Sequence, residues 1–305
     1  MHPVQASGWK QSGSEENPVV LKLPAPLSPA SRCRICYHPS MPRTDPIPDD
    51  PSHDDDYSRA DIGLVCAMSM EVNHFFDRCE KIRTLSGGGF RFRGGRLNGI
   101  RVAAVESGPG QERAARATRA LLDGHHPNWV VCCGFAGGLQ EGINVGDIVV
   151  SRALHHLGDE PVDTPHGMPS DAKHGLHVGP VVTVGHIVRT VVEKKELAAT
   201  TNAIACDMES YAVAGVCRDA NVPFMVVRAI TDDLSADIPA EVHTLLETTG
   251  AGRLGATVGA LWNRPGSVKD LWKLREDAAV AARRLAPFLA SVVEQLHAAS
   301  RDHYE

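Results

Sequence analysis

The sequence predicts an α/β domain with helices on both faces of a sheet, and three observations carry that prediction. Short apolar runs alternate with helically spaced segments over about 200 residues from Asp61 onward. Several of those runs end in glycine-bearing or acidic turns, the places where α/β sheets build their sites. The last part of the chain is helical in pattern and carries an apolar stripe that needs a surface to pack on.

Ile62 to Ala67 is a continuous apolar run and reads as a buried strand, followed by helical spacing from Glu71 to Arg83. Phe90 to Leu97 and Ile100 to Val105 read as a strand pair, because the Asn98-Gly99 dipeptide between them suits a two-residue hairpin turn. Gln111 to Leu122 places Ala and Leu on one helical face and Arg113, Arg116 and Arg119 on the other. Trp129 to Cys133 is the next strand, and Gly134-Phe-Ala-Gly-Gly138 after it reads as a sharp turn. Val145 to Val150 and Val178 to Val184 continue the sheet, separated by a polar loop from His155 to His177. A helix from Met208 and a strand from Phe224 to Ile230 complete the alternation, with Glu209 opening the helix and Asp232 just past the strand. Beyond Asp233, Val242 to Leu261 and Leu271 to about His297 are helical, broken at Arg264-Pro265-Gly266. In the last helix Leu274, Ala278, Ala281, Leu285, Phe288, Val292 and Leu296 share one stripe.

Residues 1 to 59 differ in texture. Half of the prolines fall there, with Ser and Asp, and such a segment has too little apolar surface to offset its ordering entropy. It is expected to be a disordered tail, or to be shortened by a later start such as Met41. The expected organisation is this tail, a catalytic domain over 60–262 and a helical extension over 263–305 that packs on it.

Composition narrows the function. At 305 residues and 43% hydrophobic, the chain is long enough for a large core. A net charge of −6 and a pI near 6.2 supply no basic surface for a nucleic-acid backbone. No apolar run is long enough to span a bilayer, and no signal-peptide pattern opens the chain, so a cytoplasmic location is expected. Cys66, Cys132, Cys133, Cys206 and Cys217 lie inside apolar runs and are expected to be small buried residues rather than a disulfide framework. Cys33 and Cys36, with His38 nearby, have the spacing of half a zinc site but lack a second pair. The loop from His155 to His177 holds five histidines without a zinc site's regular spacing, and reads as a solvated lid. No metal or organic cofactor is expected.

Four turns could carry chemistry: Ala67 to Val72, Glu106 to Gly110, Gly134 to Gly138, and Ala229 to Asp233. Taken singly, each is as well explained as a tight turn or as an acid favoured by a helix dipole. Arg228 lies within a strand and would be a costly buried cation without a carboxylate; Glu209 is the expected partner. Ser107 and the amides around Gly108 and Gly110 form a turn able to hold an anion or a water.

In order and together, Ala67-Met68…Glu71-Val72, Ser107-Gly108-Pro109-Gly110, Gly137-Gly138…Val145 to Val150, Asp207-Met208-Glu209-Ser210 and Val226 to Asp232 resemble the nucleoside phosphorylase and nucleosidase superfamily. The nearest type is 5'-methylthioadenosine/S-adenosylhomocysteine nucleosidase. The resemblance implies a three-layer αβα, phosphorylase/hydrolase-like fold with a central mixed sheet. It implies cleavage of the N-glycosidic bond of a 5'-modified adenosine with release of adenine, and a homodimer. Asp232 then matches the acid at N7 of the purine, and Glu71 the carboxylate that orients and deprotonates water. Glu209 matches the group that binds the ribose hydroxyls, and Met208 the thioether against the sugar; Gly138 belongs to a substrate-lining turn. Asp232 must hold a proton in that role, which calls for an apolar or anionic neighbourhood. Asp233 is expected only to shape the loop.

Phosphorylases of this superfamily grip phosphate with a Gly-Asp-Pro-x-Arg-like first loop, whereas Glu71 stands in that region here and favours water. The runner-up is a phosphate-dependent purine nucleoside phosphorylase in which Arg113 or another arginine serves the phosphate. A nucleoside-binding module without chemistry, and an interaction protein acting through the tail, are rivals of other classes. Where nucleosidases show Ser-Gly-Asp and a stacking aromatic, this chain has Val184-Gly185-His186-Ile187, leaving His186 as either a base contact or local packing, with Phe135 as another aromatic wall. The segment Trp262 to Leu271 resembles the hopanoid-associated phosphorylase-like branch, which implies a larger 5' substituent.

Overall fold

The computed structural model describes residues 58–164, 168–238 and 268–301. The tail with Cys33 and Cys36, the expected helix Val242 to Leu261 and the break after it lie outside these.

The apolar run after Asp61 forms β1 (Ile62–Cys66), which lies between β4 (Ile100–Glu106) and β5 (Trp129–Gly138), parallel to both. β3 (Phe90–Leu97) pairs antiparallel with β4 from Arg91↔Glu106 to Leu97↔Ile100. Asn98 and Gly99 between them have φ of 49° and 85°, the left-handed values a type I′ turn requires.

The helix expected from Glu71 to Arg83 is a correction. α1 (Ser69–Phe76) stops early, and the chain turns back as β2 (Glu80–Gly87), an exposed edge strand paired with β3. Ile82, Thr84 and Leu85 suit a strand, and pairing with β3 overrides local helical spacing. The Gly134 to Gly138 segment is likewise not a turn: it continues β5, pairing Gly137 with Cys206 and Gly138 with Ala205 of β9 (Ala205–Asp207).

Further along, α2 (Gln111–His125) leads to β5; β6 (Ile148–His156), the short β7 (Val162–Asp163) and β8 (Leu176–Thr183) follow. The strand β6 therefore takes up the first residues of the expected loop. α3 (Val191–Thr201), which the sequence reading did not anticipate, opens with a capping box in which Thr190 Oγ1 accepts from the Glu193 amide at 3.1 Å and Glu193 Oε2 from the Thr190 amide at 2.9 Å. Then come β9, α4 (Ser210–Asp219), β10 (Phe224–Asp232) and α5 (Val268–Arg301). Asp232 is the last residue of β10 rather than one just past it.

β10 pairs with both β5 and β6, β6 with β8, β8 with β9, and β9 with β5. Five strands thus close into a ring, and β1, β4, β3 and β2 extend from β5 as an open wing.

Alternation along the strands sorts the core into two sides. Ile62, Leu64, Val131, Cys133, Met225 and Val227 pack with α1 and with Ala281, Leu285, Leu289 and Val292 of α5. Val65, Val130, Cys132 and Val226 pack on the other side with Ala114, Ala117 and Leu121 of α2 and Val213 and Ala214 of α4. A smaller cluster of Leu139, Val182, Val188 and Cys206 seats α3. The six described cysteines are free, and all but Cys79 are buried.

Candidate active site

The ends of β1, β4, β5, β9 and β10 bring five of the sequence-marked segments together. Strand alternation dictates which side each β10 residue faces. Val226 and Ile230 point into the α2/α4 side, so Arg228 between them does too, at 1% exposure. A buried guanidinium needs its donors used. Nε lies 2.8 Å from Asp207 Oδ2, while Nη2 donates to Ser210 Oγ at 2.8 Å and to Cys132 Sγ at 3.0 Å.

The partner of Arg228 is therefore Asp207, not Glu209. Asp207 ends β9 and gathers donors from every side. Its Oδ1 accepts from Thr183 Oγ1 at 2.7 Å and from the Glu209 and Ser210 amides at 3.3 Å, and its Oδ2 also accepts from Ser210 Oγ. It caps α4 and neutralises Arg228 in one residue. Burial alone would lower the Arg228 pKa, but Asp207, with lesser help from Cys132, Glu209 and Glu71, raises it, so the guanidinium stays charged.

Freed from that role, Glu209 is the N-cap of α4 and is buried, with Oε1 accepting from the Gly110 amide at 2.8 Å. Burial pushes its carboxyl up to about 7, opposed by Arg228 and the Gly110 amide and assisted by Asp207. Met208 beside it is half-buried.

The turn at Ser107 is built differently from the expected anion cradle. The Ser107 amide donates to Cys66 O at 2.8 Å, the Gly108 amide to Ala67 O at 3.0 Å, and Gly110 to Glu209. Ser107 Oγ is fully buried, within reach of Cys66 O and Gly108 O at 3.2 and 2.7 Å. The turn stitches β4 to β1, and its Gly110 amide is taken by the side chain of Glu209. Arg113 lies against this turn, donating through Nε to Ser107 O at 2.8 Å.

Glu71 occupies the third position of α1 and reaches back to the Met68 amide at 2.8 Å, as helix-start glutamates do. Its other oxygen accepts from the Phe135 amide at 3.1 Å. At 3% exposure, burial raises its pKa, while the backbone donors and Arg228 pull it down. Gly134 makes this approach possible: a Cβ there would sit 2.6 Å from Arg228 Nη1 and 2.7 Å from Glu71 Oε1.

Asp232 lies across β5 from this group. A Cβ on Gly137 would meet Asp232 Oδ2 at 2.9 Å, whereas one on Gly138 would meet Ile143 and Ile230 first; Gly137 is the glycine at the carboxylate. Thr231 Oγ1 donates to Asp232 Oδ1 at 2.9 Å. The apolar or anionic neighbourhood expected around Asp232 is a further correction: Lys194 of α3, wholly buried, places Nζ 2.6 Å from Asp232 Oδ2 and donates to Asp233 O at 2.8 Å. Asp233 shapes its loop by accepting from the Ser235 amide at 2.8 Å.

His186 is exposed on the loop after β8. Three of the described loop histidines go to separate acids: His156 to Asp159 at 2.6 Å, His174 to Asp171 at 2.7 Å and His177 to Asp147 at 2.9 Å. Among the described residues no group of three or more His, Cys, Asp or Glu is placed to hold a metal ion. No described helix is long and apolar enough to cross a membrane.

Asp207 and Lys194 are the residues the sequence reading left without a role. Asp207 stood inside the recognised motif, and its place beside Arg228 on adjoining elements was the available signal. Lys194 had no signal, because its helix was not anticipated.

A family model of the Phosphorylase superfamily matches residues 61–258. The chain belongs to the Phosphorylase superfamily. Among solved structures, the superfamily fold recurs in the 5'-methylthioadenosine/S-adenosylhomocysteine nucleosidase of Neisseria meningitidis bound to methylthio-immucillin-A. The match has 21% identity and a TM-score of 0.57, over 77% of this chain and 98% of that one. The Colwellia psychrerythraea 34H enzyme of the same name, in complex with adenine, matches at 22% identity and TM-score 0.57, over 78% of this chain and 96% of that one. Futalosine hydrolase of Helicobacter pylori matches at 20% identity and TM-score 0.57, over 77% and 97%. This superfamily member thus has the nucleosidase fold, with the ring of strands and α1 to α5 as described.

Proposed function

We infer that the chain is a purine nucleosidase that hydrolyses the N-glycosidic bond of a 5'-modified adenosine and releases adenine. The observation that carries this reading is the Glu71 carboxylate, fixed by two backbone amides beside the closed turn at Ser107, in the region where a phosphorylase needs a cation for phosphate. The nearby cations are already engaged: Arg228 with Asp207, and Arg113 with the Ser107 carbonyl. A carboxylate there repels phosphate and suits a water.

In this reading Glu71 takes the proton of the attacking water, and its burial-raised affinity for protons suits a general base. Glu209 and Met208 hold the ribose, with Glu209 oriented by Gly110. Asp232 faces the base. Cleavage leaves negative charge on the purine and an oxocarbenium-like sugar, so the two carboxylates on opposite sides of β5 have separate tasks. The activity requires no cofactor, and the protein acts as a cytoplasmic homodimer on a small nucleoside. The named relatives suggest methylthioadenosine and S-adenosylhomocysteine as first substrates, and the C-terminal resemblance suggests a bulkier 5' group.

The test is base release from 5'-methylthioadenosine, S-adenosylhomocysteine and adenosine, with and without phosphate. Adenine and the free sugar, formed at the same rate in both media, are the expected products. Ribose-1-phosphate would replace this reading with a phosphorylase, and binding without base release would replace it with a nucleoside-binding module.

A further inference from the structure

Lys194 is the one described lysine buried completely, and burying an ammonium is costly unless it is paired and hydrogen-bonded. Both conditions are met, by Asp232 Oδ2 at 2.6 Å and by Asp233 O at 2.8 Å. The neighbouring Lys195, one position along the same helix, is 57% exposed and only 3.9 Å from Glu141. Helix α3 is therefore oriented so that one particular lysine enters the site from the far side of Asp232. The Asp232 side chain keeps 19% exposure, so it has a face toward Lys194 and a face toward the open site.

We propose that Lys194 is the positioning residue of the base side of the site: it fixes Asp232 and supplies, through Asp232, the proton that the departing purine takes. The proposal rests on the nucleosidase reading. In the neutral range a carboxyl ordinarily has lost its proton and an ammonium has kept it. A site that must deliver a proton at neutral pH can therefore store it on nitrogen and pass it across a short ion pair.

The step balances. As the bond from the anomeric carbon to the purine breaks, its electron pair goes to the purine. The purine ring nitrogen facing Asp232 takes a proton from the Asp232 carboxyl, which receives one from Lys194 Nζ. Lys194 becomes a neutral amine, Asp232 is a carboxylate again, and the base leaves neutral. Water adds a hydroxyl group to the anomeric carbon and gives its other proton to Glu71. One proton lost at Lys194 and one gained at Glu71 are then exchanged with solvent.

The groups facing this pair are few. Asp233 follows Asp232 just past β10; Cys206 of β9 lies against Gly137 and feels both Asp232 and Lys194; Asp277 of α5 feels the charges of Asp232 and Asp233. Burial holds the Cys206 thiol up at about 12, so it does not titrate in the working range.

The experiment uses the full chain and compares wild type, K194M, K194R, D232N and the K194M/D232N double variant. kcat and KM for 5'-methylthioadenosine are measured from pH 5 to 9, with thermal melts of each protein. K194M is expected to lose about 10²-fold or more in kcat, the usual size of a proton-transfer contribution, with KM little changed. Its rate relative to wild type should fall further as pH rises, because Asp232 must then hold the proton alone. K194R keeps the positive charge but cannot give up a proton, so it should restore little of kcat. The double variant carries no uncompensated charge and should be no slower than D232N, because both residues serve one step. A K194M enzyme with wild-type kcat and pH profile overturns the proposal, as does a double variant slowed by the product of the two single effects. A wild-type chain that releases no base from any nucleoside overturns the nucleosidase reading itself, a separate outcome from failure of Lys194 alone.

Discussion

Two buried cations stand at the two ends of the site, and they are used in opposite ways. Arg228 spends its donors inward: Asp207, Ser210 and Cys132 take them, and the Asp207 side chain has no exposure. Lys194 spends its charge on a carboxylate that still faces outward. The first arrangement reads as scaffold, because protein partners take up Nε and Nη2. It sets the start of α4 and so aims Glu209. In the proposed reading the second serves chemistry, because the cation is sealed in while its partner keeps an exposed face. A buried ion pair contributes little net stability over an apolar substitute, so in that reading one pair provides geometry and the other reactivity.

Breaking the scaffold pair should give the largest effect. Asp207→Ala leaves Arg228 buried without a counter-charge and removes the cap of α4; a loss of about 3–5 kcal/mol in denaturant unfolding is expected. A protein of unchanged stability would show that Arg228 finds another partner. On the other side Asp232→Asn leaves Lys194 buried without its counter-charge, but a lysine, unlike an arginine, can shed its proton when buried, so the stability loss should be smaller than for Asp207→Ala. Its kcat should fall by about a hundredfold or more. Loss of stability comparable to that of Asp207→Ala would erase the contrast between the two ends.

Glu209 lies between the pairs and sharpens the comparison through pH. Its carboxyl sits at about 7, above its ordinary 4.5. A raised acid binds its proton more tightly in the folded state, so the stability it contributes is complete below the ordinary value and is lost as pH rises through 7. Wild type should therefore lose about 2–3 kcal/mol relative to Glu209→Gln between pH 5 and pH 8. Equal slopes for the two proteins would place the charge of Glu209 in water. The smallest effect belongs to Lys195→Met, next to Lys194 in sequence. Its long, exposed contact with Glu141 should make less than about 0.5 kcal/mol of difference, and kcat should be unchanged. A rate loss there would mean that the helix as a whole, and not one lysine, supports Asp232.

Legibility from sequence followed the same division. The strands with continuous apolar runs, the Asn98-Gly99 hairpin and the stripe of α5 were plain, because burial on both faces and a turn's backbone angles leave marks in the local sequence. The end of α1 was not, since β2 is held by β3 and not by its own spacing. Glycines misled where they served close approach: Gly134 and Gly137 lie within β5 so that Arg228, Glu71 and Asp232 can pass, and a run of glycines reads equally well as a turn. The motif acids were found, but their partners were not. That Arg228 pairs with Asp207 depends on which face of β10 meets the start of α4, and that Lys194 reaches Asp232 depends on a helix with a weak apolar pattern.

The closed ring of β5, β10, β6, β8 and β9 has a consequence for how the protein breathes. A strand at an open edge can peel away by giving up one ladder, so β2 is free to fray by itself. Within the ring every strand is held from two sides, and releasing β10 means giving up the ladders to β5 and β6 together with the α5 packing behind it. Amide exchange in β10 is then governed by opening of the whole domain, while β2 exchanges locally and fast. Both Arg228 and Asp232 ride on β10, so the two ends of the site stay in register for as long as the protein remains folded.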